Sequence, residues 1–299
     1  IADYAIAGFN KAEPFSIGRY DACIDEDGKL HSFSGYSPST NKNITQHRAA
    51  AKLLSDEFCM LDYRYFLLQM LYLVEYANFN SQAQLGNGIV SMRRSNTDTA
   101  LIAGETTNTI VIPTNTAFYI GQQIDICSAL DNRSIAQDRT ITDIEEYSQG
   151  VTEGTAITFD GEPVDIAVGN IIQSCGQKSG HCDDLGMKSG CLSNDSKHGV
   201  IYRGIENIFG NVYNWVDGIN IKDYQAYICR NPEQYVSDKF EAPYEKIGYV
   251  NAETYGEYIK KLGFDEKNPD IALPIETGGG AGSSSGMCDT YYSEEGNRV

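Results

Sequence analysis

Positive charge is what this sequence has least of. Its 23 Lys and Arg face 41 Asp and Glu, a formal net charge of −18. Binding a nucleic-acid backbone takes clustered cations. The only adjacent arginines are Arg93 and Arg94, which read as part of a solvated loop, so nucleic acid is excluded as a partner. Long apolar runs are missing as well. A membrane-spanning helix needs ~20 apolar residues, and the longest candidate, Tyr63 to Val74, is broken by Arg64 and Gln69 and closed by Glu75. No membrane insertion is expected.

Histidine is scarce, and His31, His47, His181 and His198 recur in no triad or metal spacing. Eight cysteines are scattered along the chain rather than framed, as expected of reduced thiols in a protein made in a cytoplasm. The one grouping with a zinc flavour, Cys175, His181, Cys182 and Cys191, lacks the paired CxxC or HxxxH spacings that such sites use. We therefore expect no metal and no cofactor.

What remains is 299 residues with 41% hydrophobic content, enough for a large core or a core plus an insertion. Phe15 to Ile24 and Lys29 to Phe33 read as two strands joined across Asp25-Glu26-Asp27-Gly28, whose Asp-Gly pair tolerates the positive φ of a tight turn. Asn43 with Gln46 has the form of a capping box opening a helix to Leu54. Asp62 is placed to cap a second helix, Tyr63 to Asn78, apolar nearly all round and hence expected at the centre of a domain.

From about Met92 to Cys175 helical periodicity gives way to short β-branched runs. These are Thr109 to Ile112, Phe118 to Ile126, Arg139 to Ile144, Ala156 to Phe159, Val164 to Ala167 and Asn170 to Gln173. Turn residues such as Asp160-Gly161-Glu162-Pro163 separate them, the pattern of a small barrel or sandwich. Cys175 to Gly199 and Gly278 to Gly286 read as loops.

The most distinctive stretch is Tyr202 to Ile221, YRGIENIFGNVYNWVDGINI. Gly204, Gly210 and Gly218 permit tight turns or close backbone approach. Trp215, the only tryptophan, carries the apolar area expected of a core anchor. Asn207, Asn211 and Asp217 can bond local backbone. Calcium is the other use of such oxygens.

This segment resembles the R-G-x-E-N-x-x-G-N-x-W-x-W-x-D-G stretch of bacteriophage tail and fibre proteins of the C-type-lectin-like group, which includes targets of diversity-generating retroelements. The residues carrying the likeness are Arg203, Gly204, Glu206, Asn207, Gly210, Asn211, Trp215, Asp217 and Gly218. Phe15 to Cys23 resembles the family's opening strand and Leu61 to Asn78 its central helix. Gln225 to Phe240, Leu273-Pro274 and Tyr291-Tyr292 to Arg298-Val299 resemble later elements. Formylglycine-generating enzymes share the fold, with Trp and Glu where this chain has Tyr213 and Asn214, and that lost carboxylate weakens the calcium reading.

The resemblance implies an α+β fold: a C-type-lectin-like mixed core, residues 1–92 and 176–299, interrupted by a small all-β module at 93–175. It implies a non-catalytic virion protein, made in the host cytoplasm, that recognises a host surface protein or glycan. Other virion subunits and self-association into a homo-oligomer complete the expected partners. The alternative is a structural head or tail decoration protein. An oxidase of the formylglycine-generating type is set aside, because such enzymes use paired cysteines, and beyond Trp215 only Cys229 and Cys288 remain, neither with a neighbouring His or basic cluster to stabilise a thiolate. In the resembling family an R-V pair leads into further strands, so the 1–299 chain is expected to be an incomplete domain with its ligand surface beyond Val299.

Overall fold

The computed structural model describes residues 14–78, 80–252, 257–278 and 290–291. The Cys288 position, most of the 278–286 loop, and the Tyr292 to Val299 end, with the ligand surface expected beyond it, lie outside the described residues.

A short hairpin pairs β1 (Cys23–Ile24) with β2 (Leu30–His31). Three helices follow, α1 (Ile44–Leu54), α2 (Tyr65–Tyr76) and α3 (Gln82–Leu85). The central strands are β3 (Gly104–Thr107), β4 (Thr109–Ile112), β5 (Gln123–Cys127), β6 (Ala136–Gln149), β7 (Thr152–Phe159), β8 (Val164–Ile166) and β9 (Ile171–Ser174). Next come β10 (Gly190–Cys191), β11 (Val200–Tyr202), β12 (Ile205–Glu206), β13 (Ile219–Lys222) and β14 (Gln225–Ile228). The last are β15 (Glu245–Tyr249), β16 (Glu257–Asp265), β17 (Asn268–Gly278) and β18 (Thr290–Tyr291).

These strands form several small sheets, the largest of five strands. The chain is mostly β, with 35% strand against 12% helix. This overturns the expected α+β, C-type-lectin-like mixed core. Among the described residues the three helices are 11, 12 and 4 residues long, too little helix to form one layer of such a core. Most strands outside the five-stranded sheet are two to five residues long, and bulges shift register within the β14–β15 and β16–β17 pairs. Short, bulged strands twist and end early, which keeps the sheets apart and small.

Two compact units emerge. Unit 1 is Ile1–Ser32, Asn41–Gly86 and Tyr213–Val299; unit 2 is Phe33–Thr40 and Asn87–Val212. The second takes in the 93–175 stretch and also 176–212, so the Tyr202–Ile221 segment is divided between the units at Val212.

In unit 2 the sheet order is β4-β7-β6-β5-β9. Residues of period two bury Ile110, Ile112, Ile124, Ile126, Ile141, Ile157, Phe159 and Ile172 in one apolar cluster. In unit 1 α1 opens on the capping box, with Asn43 and Gln46 bonding each other's backbone N–H. Asp62 does not cap α2 in the ordinary way: its side chain accepts from Arg64 N–H, and the helix starts one residue later. On α2, Leu67 and Met70 pack with Ala272, Leu262 and Phe264, while Val74 is exposed. Tyr72 and Leu73, on other sides of the helix, are buried as well, and Phe66 packs into a second cluster, so α2 is covered around most of its circumference. The opening strand expected over Phe15 to Ile24 shrinks to Cys23–Ile24.

Candidate functional site

The half of the Tyr202–Ile221 segment in unit 2 is a network of side chain to backbone bonds. Strand β11 is wholly buried and turns into β12 across Arg203 and Gly204, with Tyr202 opposite Ile205. Both turn residues have positive φ, 49° and 83°, the two-residue hairpin geometry that asks for glycine. Glu206 is buried, and its two carboxylate oxygens accept from the Gly180 N–H at 2.8 Å and the Cys182 N–H at 2.9 Å. It thereby fixes the loop that precedes it in the chain. Asn207 N–H donates to Val200 O. Asn211 exchanges two bonds with Gln177, accepting from its N–H at 2.7 Å and donating to its carbonyl at 3.2 Å. The Asn211 N–H donates to Ile89 O, and a Cβ on Gly210 would stand 3.1 Å from Ile89 N, so this close approach explains the glycine.

The half in unit 1 centres on Asp217, which is 2% exposed. Its two oxygens accept from Arg48 Nε and Nη2, both at 2.8 Å. This planar two-bond pairing, chiefly its hydrogen bond, raises the Arg48 pKa. The Asp217 backbone joins Leu61 and Tyr63 by two further bonds. Gly218 follows at φ 76° under Tyr235, whose ring leaves no space for a Cβ. Tyr235 in turn donates to Asp62 at 3.0 Å, and Arg64 closes on the same carboxylate at 2.6 Å. A third pair, Arg230 with Asp270 at 2.7 Å, is held beside Asn268.

Trp215 departs from expectation. It is 44% exposed rather than a core anchor, and its indole N–H donates to the carbonyl of Lys42 at 3.1 Å. Aromatic rings with a polar handle settle at surfaces where that handle finds a partner, and here the partner is the loop just ahead of α1. Two residues earlier, Tyr213 is fully exposed. Sequence reading missed Tyr213, Lys42 and Arg48. Lys42 and Arg48 lie more than 160 residues away in sequence, and nothing local marks either as a partner.

The calcium reading finds no free ligand set, because Asp217 is taken by Arg48 and Asn211 by Gln177. The zinc grouping does not assemble either. Among the described residues the only set with metal-ligand spacing is Asp125, Asp138 and Cys175. Arg133 already sits within it, 2.6 Å from Asp125 and 2.8 Å from Asp138. A guanidinium there offsets the charge a cation would otherwise supply.

Burial pushes the Cys59 and Cys127 thiols up to about 11 and raises Cys175 and Cys229 as well, the reverse of what a nucleophilic cysteine requires. His31 pairs with Asp25 at 2.7 Å and His198 with Asp195 at 2.8 Å. These pairs lie in different units.

No family model matches the chain, and searches of curated proteins and of solved structures find no significant match. Among the described residues, no helix is long and apolar enough to cross a membrane.

Proposed function

We propose that this chain is a non-catalytic virion protein, of the kind carried on phage tails and fibres, that recognises a receptor on the host-cell surface. The observation that carries the reading is the use made of the Tyr202–Ile221 segment. In the unit 1 half, the Asp217 carboxylate is spent on Arg48 and on the Gly218 N–H, which holds irregular backbone in one shape. In the same unit 1 half, Tyr213, Asn214 and Trp215 are left exposed. A rigid frame presenting aromatic and amide side chains suits recognition, since aromatics give contact area at low entropic cost. The raised cysteine pKa values support the non-catalytic part, because a thiol at 11 supplies almost no thiolate at neutral pH.

The test uses the purified chain and an antibody raised against it. The antibody should label virus particles released from cells that carry the gene, and the chain should bind intact cells of the host saturably and slow adsorption of those particles. Unlabelled particles, or a chain that binds no host cell, would overturn the reading.

A further inference from the structure

We infer that the Tyr213–Trp215 edge of unit 1 is a binding site for a neutral glycan, an inference that rests on the attachment reading and names its ligand class.

Three observations point there. The first is the geometry of Trp215, whose indole N–H is tied to the Lys42 carbonyl while 44% of the residue remains open to solvent. The tie fixes the ring edge, so an exposed aromatic surface is held in place before any ligand arrives, and pre-organisation of this kind lowers the cost of binding. The second is chemical composition. Beside Trp215 in the chain stand the exposed Asn214 and Tyr213, and beside its anchor Lys42 stand the exposed Asn41 and Asn43. Aromatic faces meet the C–H faces of a pyranose ring, and amides and a phenol exchange hydrogen bonds with its hydroxyls.

The third is size and charge. Two aromatic side chains offer at most about 500 Å², short of the roughly 800 Å² that each partner contributes to a specific protein interface of ordinary size. That area fits one or two sugar rings. A net charge of −18 repels acidic polysaccharides, which leaves neutral ones.

Trp215 is the only tryptophan, so intrinsic emission reports on this site alone. The experiment prints the purified chain on an array of neutral bacterial-type oligosaccharides. It then titrates the best binder by calorimetry in the native chain, Tyr213→Ala and Trp215→Phe, and follows tryptophan emission in the native chain and Tyr213→Ala, which keep Trp215. Val168→Ala, exposed in unit 2, serves as the control. We expect saturable binding with a shift in emission, an affinity loss of tenfold or more in Tyr213→Ala and Trp215→Phe, and none in Val168→Ala.

No neutral oligosaccharide binding, or binding that both aromatic variants retain in full, overturns the inference. Attachment to host cells that survives Tyr213→Ala and periodate oxidation of the cells but is lost after protease treatment means a protein receptor. That outcome overturns the glycan site and leaves the attachment reading standing. Saccharide binding through these two rings without any attachment to cells does the opposite: the site holds and the attachment reading falls.

Discussion

The two units are held together by different means. In unit 2 the largest buried cluster is aliphatic, with eight isoleucines and two phenylalanines among its twelve fully buried members. Any residue of similar size at the right strand position would do much the same work, since burial of apolar area is not directional. In unit 1 tyrosines enter the core, Tyr63, Tyr235 and Tyr244 among them. Around them stand three Arg–Asp pairs, Arg48 with Asp217, Arg64 with Asp62 and Arg230 with Asp270. Such pairs hold shape rather than add much net stability, because desolvation offsets most of their attraction, yet each half depends on the other. Unit 2 has ion pairs too, Arg93 with Asp98 and Arg133 with Asp125. The difference is therefore one of degree: unit 1 leans on named partners, unit 2 on periodic burial.

The largest effects should come where that difference is tested directly. Asp217→Ala leaves the Arg48 guanidinium, 13% exposed, without its counter-charge. It should cost about 3–5 kcal/mol in urea unfolding. Phe159→Ala in the unit 2 cluster should cost a similar ~3–5 kcal/mol through lost burial and a cavity. The two losses should part company on repair. Adding Arg48→Met to Asp217→Ala should recover much of the stability, since the stranded charge is gone. If the double variant is as unstable as Asp217→Ala, the pair is not what holds this part of unit 1, and the contrast between units fails.

The same contrast explains what was legible in the sequence. The β-branched run Thr109–Ile112 is a strand with those bounds, and the runs near 124, 141, 157, 165 and 172 all fall on strands, because period-two alternation is a local signal. The Asn43–Gln46 capping box is equally local and was read correctly. The α+β class was not. A greasy twelve-residue helix suggested a mixed core, and nothing in its sequence shows that the strands around it form several small sheets. Trp215 was misplaced for a related reason: size predicts burial on average, but the bond to Lys42 that lets it stay at the surface spans 173 residues. Arg48 and Asp217, 169 residues apart, are invisible as a pair to any local pattern.

Glycines give the next test, with smaller effects. Gly218 in unit 1 and Gly121 in unit 2 both have φ in the left-handed region, 76° and 89°. A Cβ on Gly218 would stand 2.7 Å from the Tyr235 ring, whereas one on Gly121 would meet nothing within 4 Å. Gly121→Ala should therefore cost about 1 kcal/mol, backbone strain alone. Gly218→Ala should cost about 3 kcal/mol, because strain is joined by displacement of the ring that bonds Asp62. Equal costs at the two sites would show that Tyr235 yields freely and that unit 1 tolerates looser packing than its ion pairs suggest.

The smallest effects belong to the exposed edge. Trp215→Ala removes a ring that is only partly covered, together with one N–H to carbonyl bond. We expect a cost of about 2 kcal/mol, below the ~3–5 kcal/mol of a fully buried tryptophan. Tyr213 is exposed along its whole length, so folding gains nothing from its ring that the unfolded chain lacks. Tyr213→Ala should shift unfolding by less than about 0.5 kcal/mol, the range of an ordinary surface position. A cost near that of Trp215→Ala would mean that the phenol packs in solution and that the exposed edge belongs with the partnered interior of unit 1. With stability unchanged, any loss of binding in Tyr213→Ala reports contact with ligand, and the edge differs from both cores in having no structural role for its most exposed ring.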